Sequence, residues 1–118
     1  FDQAVAAVTQ ALAKEGFGVL TEIDVAATLK KKLGIERAPY KIRGACNPQF
    51  AARAIEAEPQ IGALLPCNVV VREDAAGGII VGFMDPVAVL KLTDNPGITD
   101  VAKDVRARLE RVRDQLKG

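Results

Sequence analysis

Two cysteines carry the most reactive side chains in this sequence, and each is followed directly by an asparagine. They lie in the segments Cys46-Asn47-Pro48 and Leu65-Pro66-Cys67-Asn68. A thiolate is a nucleophile, a redox partner or a ligand for soft metals such as Cu(I). Four residues are therefore candidates for a ligand pocket or a thiol site: Cys46, Asn47, Cys67 and Asn68.

A second interpretation of the cysteines is structural, because a free cysteine is commonly a small buried apolar residue. Alternation places Cys46 on the side of Tyr40 and Ile42, so this side of its strand is expected to face the core, with Lys41, Arg43 and Ala45 on the wet side. Cys67 falls on the side of Val69, which is also expected to be buried. In this interpretation neither thiol is part of a site.

Strand pairing decides whether the two sulfurs meet. A parallel crossover would place Cys46 and Cys67 at opposite ends of neighbouring strands, roughly 20 Å apart. An antiparallel or non-adjacent arrangement would bring them together. Cys46 is expected to be the more reactive thiol because it precedes a helix N-terminus, although burial would oppose that effect.

Asn47 also has a structural interpretation. Asn-Pro is a typical helix start, in which the Asn side chain accepts from a free N–H and Pro occupies the first helical position. If Asn47 only caps a helix, its replacement by Asp should be nearly harmless.

Composition excludes several function classes. The chain has no Ser and 0 His, which excludes a Ser–His triad, a histidine base and an imidazole zinc site within one chain. An enzyme is therefore less expected than a binding protein, and we expect no cofactor and no metal. The 16 basic and 15 acidic residues nearly cancel, and no aromatic residue interleaves with Lys30–Lys32, so nucleic acid is not an expected partner.

The compartment follows from two further features. No stretch reaches the roughly 18–20 apolar residues that span a bilayer, so we expect no membrane association. Two cysteines in 118 residues are too few for a disulfide-stabilised secreted scaffold, which favours a cytoplasmic protein with reduced thiols.

Apolar spacing predicts strands and helices in alternation. The predicted strands are 17–23, 40–46, 67–74 and 78–84, the last two joined by a turn at 75–77. Helices are predicted before Gly16, from Asp24 to Gly34, from Asn47 to Pro59, briefly after Asp85-Pro86, and over 96–117. Asp24, Asn47 and Asp85 are expected to cap the helices that follow them. The buried stripe of the third helix is predicted to consist of Phe50, Ala51, Ala54 and Ile55. The order α-β-α-β-α-β-β-α-α predicts an α+β two-layer sandwich with helices on one face of a mixed or antiparallel sheet of about four strands. A chain of 118 residues is expected to form one compact domain over residues 1–118.

A one-layer sheet leaves its second face open unless another element packs on it. Val70 and Ile80 fall on the opposite side from Val69 and Val81, so apolar groups lie on both faces of the hairpin. Exposed apolar area of this kind favours an interface, and we expect a homodimer.

Several segments resemble the domain-of-unknown-function family 302. They are Glu15–Asp24, Tyr40–Pro48, Glu56–Val71, Asp85-Pro86 and the closing helix. The resemblance covers nearly the whole chain, and the two Cys-Asn motifs make it specific. It implies a compact, homodimeric α+β domain of bacteria and archaea with no settled activity.

Two functions therefore remain open. The first is a small binding or interaction module whose small-molecule ligand is unknown. The second is a thiol-based redox or soft-metal protein that uses Cys46 and Cys67.

Overall fold

The structure is a computed structural model that describes residues 1–117. Its elements, in chain order, are α1 (Asp2–Lys14), β1 (Gly18–Asp24), α2 (Val25–Leu33), β2 (Tyr40–Cys46), α3 (Pro48–Ala57), β3 (Cys67–Glu73), β4 (Ile79–Phe83), α4 (Pro86–Leu90) and α5 (Pro96–Lys117). Short 3-10 segments at Pro59–Leu64 and Lys91–Thr93 complete the connections. The order of helices and strands is the predicted one.

The strands form a single sheet in the order β1-β2-β3-β4, and every neighbouring pair is antiparallel. Helices α1, α3 and α4 all pack against α5. The predicted α+β fold is confirmed, and of the two predicted sheet types the antiparallel one is present. This pairing decides where the two Cys-Asn motifs lie.

Helix α5 is the spine of the helical layer. Its inward face repeats apolar residues at helical spacing, and six of them are buried: Ile98, Val101, Ala102, Val105, Leu109 and Val112. Its outer face carries mixed charges, including the ion pair between Arg106 and Glu110. No helix within residues 1–117 is both long enough and apolar enough to cross a membrane.

The junction between α1 and α3 depends on Asn47 and Gly16. Asn47 has extended backbone angles and its Oδ1 accepts from the Gln49 N–H at 3.2 Å, so the predicted cap is confirmed. Gly16 follows α1 with φ +86, a conformation that favours glycine. A Cβ at Gly16 would lie 2.8 Å from Asn47 Nδ2, so the close approach of the two segments also requires glycine there.

Strand β2 turns the opposite face to the helices from the one that alternation predicted. Ala45 is fully buried and Arg43 is 9% exposed, whereas Ile42 is half-buried. Ala45 and Arg43 pair with Cys67 and Val69, which face the helical layer. The face of β2 that was predicted to contact solvent is therefore the face that packs against the helices.

Arg43 occupies the covered side because an acidic partner lies on the neighbouring strand. Its Nε forms an ion pair with Glu22 Oε2 at 3.4 Å without the alignment of a hydrogen bond, and Nη1 donates to the Val5 carbonyl at 3.4 Å. Lys41 Nζ lies 3.2 Å from the other oxygen of Glu22. The pairing of β1 with β2 therefore brings Glu22 to Arg43 and balances the charge of the guanidinium. The sequence of β2 by itself does not contain this acidic partner.

The other face of the sheet carries an apolar row that runs across three strands. Ile23 pairs with Ile42, and Ile42 pairs with Val70. Ile23 and Ile80 on this face are exposed, while Ile42 and Val70 are half-buried. We call Ile23, Ile42 and Val70 the apolar row.

Candidate functional site

The ends of β2 and β3 bring both cysteines to one place. Cys46 is the last residue of β2, Cys67 is the first residue of β3, and Ala45 is the register partner of Cys67. Antiparallel pairing thus places the two cysteines at adjacent strand ends rather than a strand length apart. Both are free cysteines in the structure.

Both thiols line a cavity of about 310 Å³ between the sheet and the helices. Phe50 and Ala54 of α3 and Val105 of α5 form part of its helical wall. The residues that line it carry no charged side chain, and Asn47 is the one polar amide or hydroxyl residue among them. This is an apolar site with two sulfurs in its wall.

Small residues on the lining explain why the space exists. Ala45, Ala51, Ala54 and Gly62 all border the cavity at positions where a larger side chain would project into it. Sequence periodicity predicted a buried stripe on α3, and Ala54 is buried as expected. Ala51 is only half-buried, because it borders open space rather than packed atoms.

The mouth of the cavity is apolar as well. Leu20 and Ile55 line the cavity and are nevertheless 68% and 48% exposed, so they lie where it meets solvent. Leu20 is there because the register of β1 against β2 shifts between Val19 and Thr21, which leaves Leu20 as the unpaired residue of a β-bulge. Ile55 belongs to the α3 stripe that was predicted to be buried, and it is exposed because it stands at this opening.

The environment keeps both thiols in their protonated form. Burial raises the pKa of the Cys46 thiol above its ordinary value. Burial, and secondarily the charge of Cys46, raises the pKa of Cys67 to about 11. The expected lowering of the Cys46 pKa by the α3 N-terminus is therefore outweighed by burial, and the cavity wall is neutral at pH 7.

Asn47 lies at the edge of the cavity with its polar atoms already engaged. Oδ1 accepts from Gln49 N–H, and Nδ2 donates to the Glu15 carbonyl at 3.3 Å. Arg108 Nη1 donates to the same carbonyl at 3.0 Å. Asn47 therefore positions α3 against α1 and offers little to a ligand.

Asn68 lies apart from the other three candidates. It is exposed, it is the register partner of Gly44, and it does not line the cavity. Its main-chain carbonyl accepts from Met84 N–H at 3.1 Å, which holds the end of β4. The structure thus brings Cys46, Asn47 and Cys67 together and leaves Asn68 on the open sheet face.

Most residues of the cavity wall were not predicted from the sequence. Leu20, Phe50 and the α3 alanines have side chains without reactive groups, and they had no reason to be chosen as site residues. One signal was available: Ala51 and Ala54 are three residues apart on the face of α3 that was predicted to be buried. Two small residues on a buried face leave space unless a larger neighbour fills it.

Among the residues that line the cavity, the two sulfurs are the candidate donors for a metal. Within residues 1–117 no group of three or more His, Cys, Asp or Glu residues is arranged to hold a metal ion. Two thiols match ions that accept two soft ligands, such as Cu(I), and do not match the four ligands of a structural zinc site.

Comparison with known proteins gives a family but no activity. The model of the family described as "Domain of unknown function DUF302" matches residues 1–116. A crystal structure of an uncharacterized conserved DUF302 protein from Bacillus stearothermophilus superposes with a TM-score of 0.89 and 30% sequence identity, over 97% of this chain and 88% of that one. A search of curated proteins finds no significant match.

Proposed function

Because the chain belongs to the DUF302 family, whose description assigns no activity, we propose from its own geometry that it is a small-molecule-binding module that holds its ligand in the cavity between sheet and helices. The observation that carries this proposal is the cavity of about 310 Å³, which is bordered by alanines and opens through apolar residues. Ligand pockets of proteins are mostly apolar and start at roughly 300 Å³.

Binding accounts for the lining better than catalysis does. No acidic or basic side chain lines the cavity, and the thiols are held neutral by burial. General acid–base chemistry needs a group that titrates near the working pH, and a thiol nucleophile needs a lowered pKa. Neither condition is met by the residues of this wall.

We also propose that two copies of the chain associate through the open face of the sheet. The apolar row crosses three strands of this face, and on β4 Gly82 is the register partner of Val70, with the exposed Ile80 at the next pair on the same face, opposite Arg72. Arg72 is the one ionised residue among the strand positions that share this face. A second copy would cover an apolar surface with little charge to desolvate. We further propose that the protein acts in the cytoplasm, because both of its cysteines are free thiols and the cytoplasm is a reducing compartment.

The experiment that tests the binding function is a fluorescence titration with 2-naphthol on the wild type and two alanine variants of α3. Ala51→Leu places a larger side chain in the cavity, whereas Ala52→Leu makes the same change at an exposed neighbour that does not line it. Saturable one-site binding that Ala51→Leu abolishes and Ala52→Leu preserves supports the proposal. No saturable binding to the wild type, or equal binding by all three proteins, overturns it.

A second candidate function is favoured by the position of the sulfurs. Both thiols line one cavity at neighbouring strand ends, an arrangement that offers two soft ligands to an ion such as Cu(I). Because both thiols are protonated at neutral pH, binding would release protons and weaken as the pH falls. Native mass spectrometry with Cu(I) tests this candidate: one bound ion that either Cys46→Ser or Cys67→Ser removes supports it, and binding that survives both substitutions contradicts it.

A further inference from the structure

The size of the cavity, its uncharged wall and its position behind a bulge together define what fits inside. An apolar protein cavity of roughly 150 Å³ holds benzene. The present cavity, at about 310 Å³, has about twice that space. The matching volume is therefore that of two fused rings.

We propose that the ligand is a neutral, apolar ring compound of about ten carbon atoms, and that Leu20 controls its entry and exit. This inference rests on the proposed binding function and adds to it the chemical class of the ligand and the residue that gates the site. Each of the two parts follows from a separate observation.

The uncharged wall determines that the ligand is neutral. Every ion that enters an apolar cavity loses its hydration, and here no charged side chain lines the cavity to compensate. The polar atoms of Asn47 are engaged by Gln49 and Glu15, so they do not replace water around a ligand. A neutral apolar molecule loses little on entry and gains the contacts of the wall.

The aromatic residues of the cavity wall favour a ligand that contains a ring over one that is an open hydrocarbon chain. Phe17 and Phe50 both line the cavity. The Phe50 ring is held in place by two guanidinium groups, with Cζ of Arg108 at 5.1 Å and Cζ of Arg53 at 5.5 Å from its centroid. Aromatic rings pair with one another in edge-to-face or offset geometry, which a flat ligand allows. The two sulfurs add polarizable contacts to a ring of the same kind.

Leu20 is suited to gate the site because its main chain is not paired with β2 in the sheet. As the unpaired residue of the β1 bulge it has no register partner on β2. Its side chain is exposed and lines the cavity, so it stands across the route between solvent and the interior. Bulges recur next to binding and active sites, where they redirect a side chain.

The test compares two probes of the same shape and three proteins. At neutral pH 2-naphthol is uncharged and 2-naphthoate is an anion. We expect 2-naphthol to bind the wild type at least about tenfold more tightly, because an uncompensated buried charge costs at least that factor. In stopped-flow measurements Leu20→Ala should release 2-naphthol at least about threefold faster, while Leu92→Ala, an exposed leucine that does not line the cavity, should match the wild type.

Each failure has its own meaning. Absence of 2-naphthol binding to the wild type overturns the binding function itself. Binding of 2-naphthoate as tight as that of 2-naphthol overturns the neutral ligand class and leaves the binding function standing. Equal release rates for the wild type and Leu20→Ala, with circular dichroism showing both folded, overturn the gating role of Leu20.

Discussion

The side-chain amide of Asn47 donates to the main-chain carbonyl of Glu15 at 3.3 Å, which ties the start of α3 to the end of α1. The same side chain caps α3 through its other polar atom. Asn47 therefore uses both the donor and the acceptor of an amide. An aspartate supplies only the acceptor.

Both replacements of Asn47 should destabilise the protein. Asn47→Ala loses the cap and the bond to Glu15, at a cost of about 1–2 kcal/mol. Asn47→Asp keeps the cap but places a carboxylate oxygen against the Glu15 carbonyl, so it should cost at least as much, contrary to the near-neutral effect expected from capping alone. Urea unfolding measures both. Asp24→Asn is the matched control, since Asp24 caps α2 at an exposed site. Wild-type stability in Asn47→Asp would show that the bond to Glu15 contributes nothing.

Stability should decline in alkali because of Cys67. Its pKa is raised to about 11 in the folded protein from an ordinary value near 9. The unfolded chain therefore loses this proton first, and the stabilisation present below pH 9 is lost as the pH rises through 11, on the order of 2 kcal/mol. Urea unfolding between pH 8 and 11 should show a shallower decline for Cys67→Ala than for the wild type. Identical slopes in the two proteins would contradict the raised pKa.

Alkylation should distinguish the two thiols. Cys46 is half-buried and Cys67 is buried, so iodoacetamide at neutral pH should label Cys46 first and both only slowly. Peptide mapping reports the order. Faster labelling of Cys67 would contradict the greater exposure of Cys46. Protection of both thiols until denaturant is added would remove the thiol-based candidate function.

Glu22 should stabilise the fold through the buried Arg43. Replacement by Gln leaves the guanidinium, whose side chain is largely covered, without its ion pair, and should cost about 1–3 kcal/mol. The control is Glu36→Gln, which removes an exposed pair with Lys30 and should cost less than about 1 kcal/mol. Thermal melts compare the two variants. Equal, small effects would mean that Arg43 is compensated in another way.

A charged side chain introduced into the apolar row should dissociate the proposed dimer into monomers. Ile42 lies at the centre of the row, and Ile42→Glu would place a carboxylate there on each copy. Sedimentation velocity should find a dimer for the wild type and for the control Leu92→Glu, which is off the sheet, and a monomer for Ile42→Glu. A monomeric wild type at micromolar concentration would end the dimer proposal.

The sequence predicted the elements well because their signals are local. The caps at Asp24, Asn47 and Asp85 all form as expected, since each depends on a few adjacent residues. The covered face of β2 was predicted wrongly because Arg43 is compensated by Glu22, a residue of another strand. Alternation describes which residues share a face, and partners distant in sequence decide which face is buried.

The candidate site was predicted in part. Cys46 and Cys67 were chosen for their reactivity, and they do line the cavity, but antiparallel pairing was only one of the arrangements left open. The cavity itself is empty space, which no residue type encodes. Ala54 and Gly62 border the cavity because they are small and leave space unfilled. Neither residue carries a reactive group, so neither was chosen as a site residue.

The location of the ligand site can be measured by mapping the amide chemical shifts of the protein as 2-naphthol is added. A ligand bound between the sheet and the helices should produce saturable shifts that are largest at residues lining the cavity, with Phe17, Cys46, Ala54 and Val105 among them. Little change is expected along the apolar row. Shifts confined to the apolar row, or no saturable shift at any residue, would contradict a ligand site between the sheet and the helices.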